Sequence, residues 1–210
     1  MRQIVIAFSI CVATLASSQE RANVVLPSTA ASKGPQWNKG IVEAGVYKNP
    51  SLGVELSPAP GLDFETPELK GNPGTVPLLV TINALGKSKL FSGRETMSFY
   101  SDALSYYPEN RRSTEDYVRR VVFANKQEGW TPEERDSNYN MGGVTFARRN
   151  FRKEARYEAV LTKACEAQAL VFIFAGNDED EVNRLITSTK LKLDPASSGC
   201  GAERNPPRKH

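Results

Sequence analysis

The 210 residues are 40% hydrophobic and 24% charged, enough apolar material for one folded domain with tails and too much for a disordered chain. Lys and Arg number 27 against 24 Asp and Glu, and this net charge of +3 is too mild for a protein built around nucleic acid, which shows as a strongly basic face. The one histidine, His210, is the final residue, so no Ser-His-Asp triad, Cys-His pair or histidine-based zinc site is expected.

Arg2 precedes an apolar run, Ile4 to Ala16, and small residues follow at Ala16-Ser17-Ser18. This is the order of a secretory signal, with cleavage near Ala16 or Ser18. Thirteen apolar residues rise about 20 Å as a helix, short of a roughly 30 Å hydrocarbon layer, so no stable span is expected after processing. Cys11 lacks the small residues before it that lipoprotein processing requires. The expected location is secreted or periplasmic. Removal of residues 1–18 takes away Arg2, lowers the net charge to +2, and leaves Cys165 and Cys200 as the remaining thiols. Two readings stand for them: a disulfide, or two unpaired cysteines with Cys165 a small buried apolar side chain. The bond would close a loop of about 35 residues and stabilise the fold by roughly 3–4 kcal/mol.

Residues 19–40 are rich in Ser, Ala, Gly and Pro and read as a flexible linker. A single domain is expected over 41–194. Gly45 to Lys48 and Leu52 to Leu56 read as short strands, and Pro77 to Leu85 as a strand buried on both faces. Met97 to Tyr107 fits helix or strand. A helix begins after Ser113, a suitable N-cap followed by Glu115 and Asp116, and places Tyr117, Val118, Val121 and Val122 on one side. Gly143 to Lys153 and Arg156 to Cys165 read as an antiparallel pair, with Val144, Phe146 and Leu161 inward and Arg148 and Arg152 toward solvent or a partner. Ala167 to Ala175 is a continuous apolar run for the sheet centre. Asp178 to Thr189 is an amphipathic helix with a crowded acidic first turn. Residues 195–210 read as a mobile basic tail. The order implies an α+β fold, an antiparallel sheet flanked by helices.

Gly45-Val46-Tyr47-Lys48-Asn49, then Leu52-Gly53-Val54-Glu55-Leu56-Ser57-Pro58, resembles the opening of the PsbP/Mog1-like fold family of exported proteins. Val171 to Phe174, leading through an acidic helix start to Leu185-Ile186-Thr187-Ser188-Thr189-Lys190-Leu191, extends the likeness over about 45–193. The family's Pro-x-Gly-Trp reads Pro60-Gly61-Leu62-Asp63 here. The resemblance implies a non-catalytic domain acting through protein or ligand contact, and it transfers no binding residue.

Three functional readings follow. Arg148, Arg149, Arg152, Lys153 and Arg156 fall across the expected hairpin, with Arg111, Arg112, Arg119 and Arg120 bordering the helix after Ser113. Such a cluster suits an acidic protein or an anionic envelope component, in a binding or accessory module without cofactor or metal. It also suits a solvated face whose charges discourage edge pairing. Glu133, Glu134 and Asp136, after Trp130, make a carboxylate-dependent hydrolase the second reading. The third is a purely structural envelope protein. Asp178 to Glu181 fit helix capping better than calcium binding, since the glycine and distal glutamate of an EF-hand are missing. Trp130, Tyr106, Tyr107, Tyr117 and Tyr139 fill a core or line a pocket.

Overall fold

The computed structural model describes residues 37–71, 79–86, 96–134 and 137–200. All belong to one of the chain's two compact units, Pro35–His210; the other unit, Met1–Gly34, lies outside the described residues, and so do the apolar run, Cys11, Asp136 and His210. In chain order the strands are β1 (Ile41–Glu43), β2 (Val46–Asn49), β3 (Val54–Ser57), β4 (Leu62–Phe64), β5 (Glu68–Lys70), β6 (Leu79–Gly86), β7 (Thr96–Ala103), β8 (Thr131–Pro132), β9 (Ser137–Met141), β10 (Val144–Lys153), β11 (Arg156–Ala164), β12 (Gln168–Gly176) and β13 (Lys190–Leu193). The helices are α1 (Thr114–Gln127), α2 (Glu179–Ser188) and the single turn α3 (Pro195–Ser198). The molecule is of the mixed α+β class, dominated by antiparallel sheet.

The larger sheet runs β4-β6-β7-β12-β11-β10-β8, with β5 also on β6 and β9 also on β10; the smaller runs β1-β2-β3-β13. β12 is the hub of the larger sheet, paired with β11 on one side and β7 on the other. Nearly every residue of β12 is buried, as its apolar run demands. Met97 to Tyr107 resolves into a strand and a 3-10 turn (Leu104–Tyr106), because Met97 and Phe99 alternate with Ser98 and Tyr100 at the period of a half-buried strand.

Two apolar layers lie on opposite faces of the larger sheet. On one, Phe99, Phe146, Ala159, Leu161, Phe172 and Phe174 meet Tyr47, Val54 and Leu56 of the smaller sheet and Val182, Leu185 and Ile186 of α2. On the other, Phe151, Val160, Ala169 and Val171 meet Tyr117 and Val121 of α1 together with Trp130. Ser113 caps α1, its Oγ accepting from Asp116 N at 3.1 Å, and Asp178 caps α2, its Oδ1 accepting from Glu181 N at 2.8 Å. The four acids at the start of α2 are thus helix-terminal groups, with Glu181 Oε2 also accepting from Asn177 N. Among the described residues no helix is long and apolar enough to cross a membrane.

The residues just beyond β13 are built into the fold. Cys165 and Cys200 form a disulfide, with Cα atoms 4.7 Å apart. Gly53, at φ +64°, allows the close approach of this arm: an added Cβ would lie 2.7 Å from Ser198 N and 2.8 Å from Asp194 O.

Candidate functional site

β10 pairs without interruption with β11, from Ala147 opposite Thr162 to Lys153 opposite Arg156. Alternate side chains therefore keep to one face each. Val144, Phe146, Arg148, Asn150 and Arg152 share the α2 face; Arg149, Phe151 and Lys153 share the α1 face, and Arg156 joins them as the partner of Lys153. The five basic residues are divided between two surfaces. Arg148 and Arg152 also lie on the same side as buried Phe146, where an inward/outward division was expected. The reason is that β10, at ten residues, outruns its core, so one face changes from apolar to polar along its length.

On the α2 face the cations are held by short side chains. Arg148 donates through Nε to Asn150 Oδ1 and through Nη2 to Asn183 Oδ1, both at 2.8 Å. Asn183 projects from α2, so Arg148 ties helix to sheet with neutral oxygens, and these do not cancel its charge. Arg152 donates through Nε to Glu133 Oε1 at 2.7 Å, and its guanidinium lies 5.0 Å from the centre of the Tyr157 ring. Tyr157 completes the clasp, donating to Glu133 Oε2 at 3.0 Å. Burial works against the Glu133 charge, but bonds from Arg152, Tyr157 and Asn150 outweigh it and hold the carboxyl below its ordinary range. Held by these donors, the carboxylate positions Arg152. Its neighbour Glu134 is exposed, and Asp136 lies outside the described residues.

On the α1 face Lys153 Nζ donates to Glu128 O at 2.5 Å, closing the C-terminal end of α1. Arg149 and Arg156 are both half-buried, and burial lowers the pKa of Arg149. Near the start of α1, Arg112 donates to Tyr107 O at 2.6 Å, and Arg119 pairs with Asp116 at 3.5 Å. Arg111 is exposed and lends its carbonyl to Arg120 Nη2 at 3.1 Å. Arg120 lies over the rings of Tyr107 and Tyr117, 3.8 and 4.6 Å from their centres.

No protein-family model matches this chain, and no curated protein matches it.

Sequence reasoning passed over two further groups on the α1 face. Asp102 and Glu158 are 6% and 2% exposed. Tyr107 and Tyr117 both donate to Asp102 Oδ2 at 2.7 Å, and burial raises the Asp102 pKa against the pull of those bonds and of Arg120. Asp102 raises the Tyr107 and Tyr117 phenols in turn, although burial is the larger cause. Glu158 accepts from Asn125 Nδ2 at 3.1 Å. Of the expected aromatics, Trp130 and Tyr117 are core, Tyr107 packs at its edge, and Tyr139 leans on the opposite layer. The signal that could have found the acids is their position at i and i+2 to apolar residues on strands that a helix covers.

Proposed function

We propose that this chain is an exported, extracytoplasmic binding or accessory module of PsbP/Mog1-like fold that grips a carboxylate or phosphate group of an acidic protein or anionic envelope component. The observation that carries the reading is Arg148. It is a cation seated between sheet and α2, and its hydrogen-bond partners are two amide oxygens. A guanidinium fixed in this way keeps donors and charge for an incoming anion and loses little side-chain freedom on binding. Arg152 extends the same face, its Nε held by Glu133. Export is supported by the Cys165–Cys200 bond, since such bonds persist in oxidising compartments.

The test uses poly-L-glutamate and phosphatidylglycerol vesicles as separate probes at low salt. Arg148→Ala/Arg152→Ala is expected to weaken binding to one of them by at least about tenfold, and Arg149→Ala/Arg156→Ala, on the other face, by far less. Equal binding by wild type and the first double variant rejects the reading. For export, the chain recovered from the envelope fraction of its own cells should begin just after Ala16 or Ser18; Met1 at that N-terminus rejects the compartment.

A further inference from the structure

Helix α1 meets the sheet through several polar contacts: Thr114 Oγ1 accepts from Ala164 N at 3.1 Å, Lys153 reaches the Glu128 carbonyl, and two side chains of the helix end on carboxylates lying beneath it. Near its start Tyr117 donates to Asp102; two turns later Asn125 donates to Glu158. Neither donor carries a charge, so each carboxyl sits in an interior site whose anchor to α1 is neutral. Glu158 is the more enclosed, opposite Phe151 of β10 and Ala175 of β12, with the helix above it.

We propose that Glu158 is a proton-operated latch: the C-terminal half of α1 stays seated on the sheet while the Glu158 carboxyl is protonated, and loosens when it ionises. The groups around it set the balance. From α1 come Asn125, which steadies the anion, and Glu128, which repels it. From β10 come Lys153, whose ammonium is turned to the Glu128 carbonyl, and half-buried Arg149, on the same face at the other side of Phe151. From β11 comes Arg156, two residues back on the same face, and from β7 the phenol of Tyr100. Burial is the largest influence; with Glu128 it outweighs Asn125 and Arg156 and carries the Glu158 pKa up to about 7. An ionised Glu158 needs water, and the shortest route to water is to lift the helix end that covers it.

The direction of the effect follows from proton counting. The unfolded or opened carboxyl loses its proton near 4.5, the seated one only near 7. Between these values the seated form binds more protons, so its stability is full below about pH 4.5 and falls as pH rises through about 7.

Hydrogen exchange on the full chain tests this. After correction for the intrinsic rate, protection of the Asn125–Trp130 amides should fall at least about tenfold between about pH 5.5 and about pH 8.5, and Glu158→Gln should stay flat across that range. Asp102→Asn should keep the wild-type profile at this end of the helix. A flat wild type, or a Gln variant that follows the wild type, overturns the latch. If Glu158→Gln fails to fold, the wild type decides by carboxyl-carbon NMR beside exchange: loss of Asn125–Trp130 protection with the midpoint of the Glu158 titration upholds the proposal, and a Glu158 midpoint near 4.5, or protection that does not follow the titration, overturns it.

Discussion

The side chain of Gln168 points into the layer between the two sheets and is 3% exposed. Its Oε1 accepts from Ser101 Oγ at 2.7 Å, and its Nε2 donates to Leu52 O at 3.0 Å and Ser198 O at 3.1 Å. One amide thus satisfies groups from β7, from the turn before β3 and from α3. Replacement by Leu keeps the volume but leaves two carbonyls and a hydroxyl buried without this partner, a desolvation cost rather than a lost attraction. We expect Gln168→Leu to lower stability by about 2–4 kcal/mol, read as a shifted urea midpoint with unchanged slope. Tyr47 behaves similarly. Its hydroxyl donates to Lys39 O and accepts from Asn49 Nδ2, and burial, against that amide bond, pushes its pKa to about 12. Glu133 is the opposite case, since its bonds favour the charged form and outweigh burial. At each of these residues the outcome is set by whether the polar atoms find partners, which for Tyr47 lie within eight residues and for Gln168 and Glu133 come from segments farther along the chain.

At the scale of elements, the same dependence separates what was legible from what was not. The strand over Ala167 to Ala175 and the helices after Ser113 and Asp178 declare themselves locally, by an unbroken apolar run and by an N-cap before a periodic stripe. β4, β5 and β8 have two or three residues each, too few for any period, and exist because the longer β6 and β10 offer them an edge; β1 and β13 likewise form only against β2 and β3 of the smaller sheet. β9, Ser-Asn-Tyr-Asn-Met, carries little apolar pattern and is a strand through its pairing with Val144 to Arg148. Glu158 was hidden because Arg156, Glu158 and Thr162 look like the wet face of a hairpin until α1 is laid over them. The two-residue period of β10 already assigns Arg148 and Arg152 to one face and Arg149 and Lys153 to the other; what it cannot show is that α2 lies over the first face and α1 over the second. Gly53 shows how an element boundary can rest on one position. Its positive φ and the approach of α3 leave no room for a side chain, so Gly53→Ala should cost at least about 2 kcal/mol. Such a loss lowers the melting temperature of a domain this size by roughly 4–8 °C. An unchanged melting curve would mean that α3 is not seated on this turn.

Across the whole molecule, the arm after β13 is held three ways: by Gln168, by the Gly53 turn and by the Cys165–Cys200 bond. These act on different states. The first two are contacts of the folded form. The disulfide, spanning a sequence separation of 35, acts mainly by restricting the unfolded chain. Its removal in Cys165→Ser/Cys200→Ser should therefore cost about 3–4 kcal/mol while leaving the arm seated, because nothing else that holds it has been lost. Two measurements separate this from a bond that clamps the native arm. Urea unfolding should show a lower midpoint with a steeper slope, since the open chain exposes more surface than the crosslinked one. Exchange at Ser198 and Gly199 should remain as slow as in the rest of the variant's sheet. Rapid exchange confined to those residues would show instead that Gln168 and Gly53 do not suffice, and that the sulfur bridge carries the docking of the arm itself.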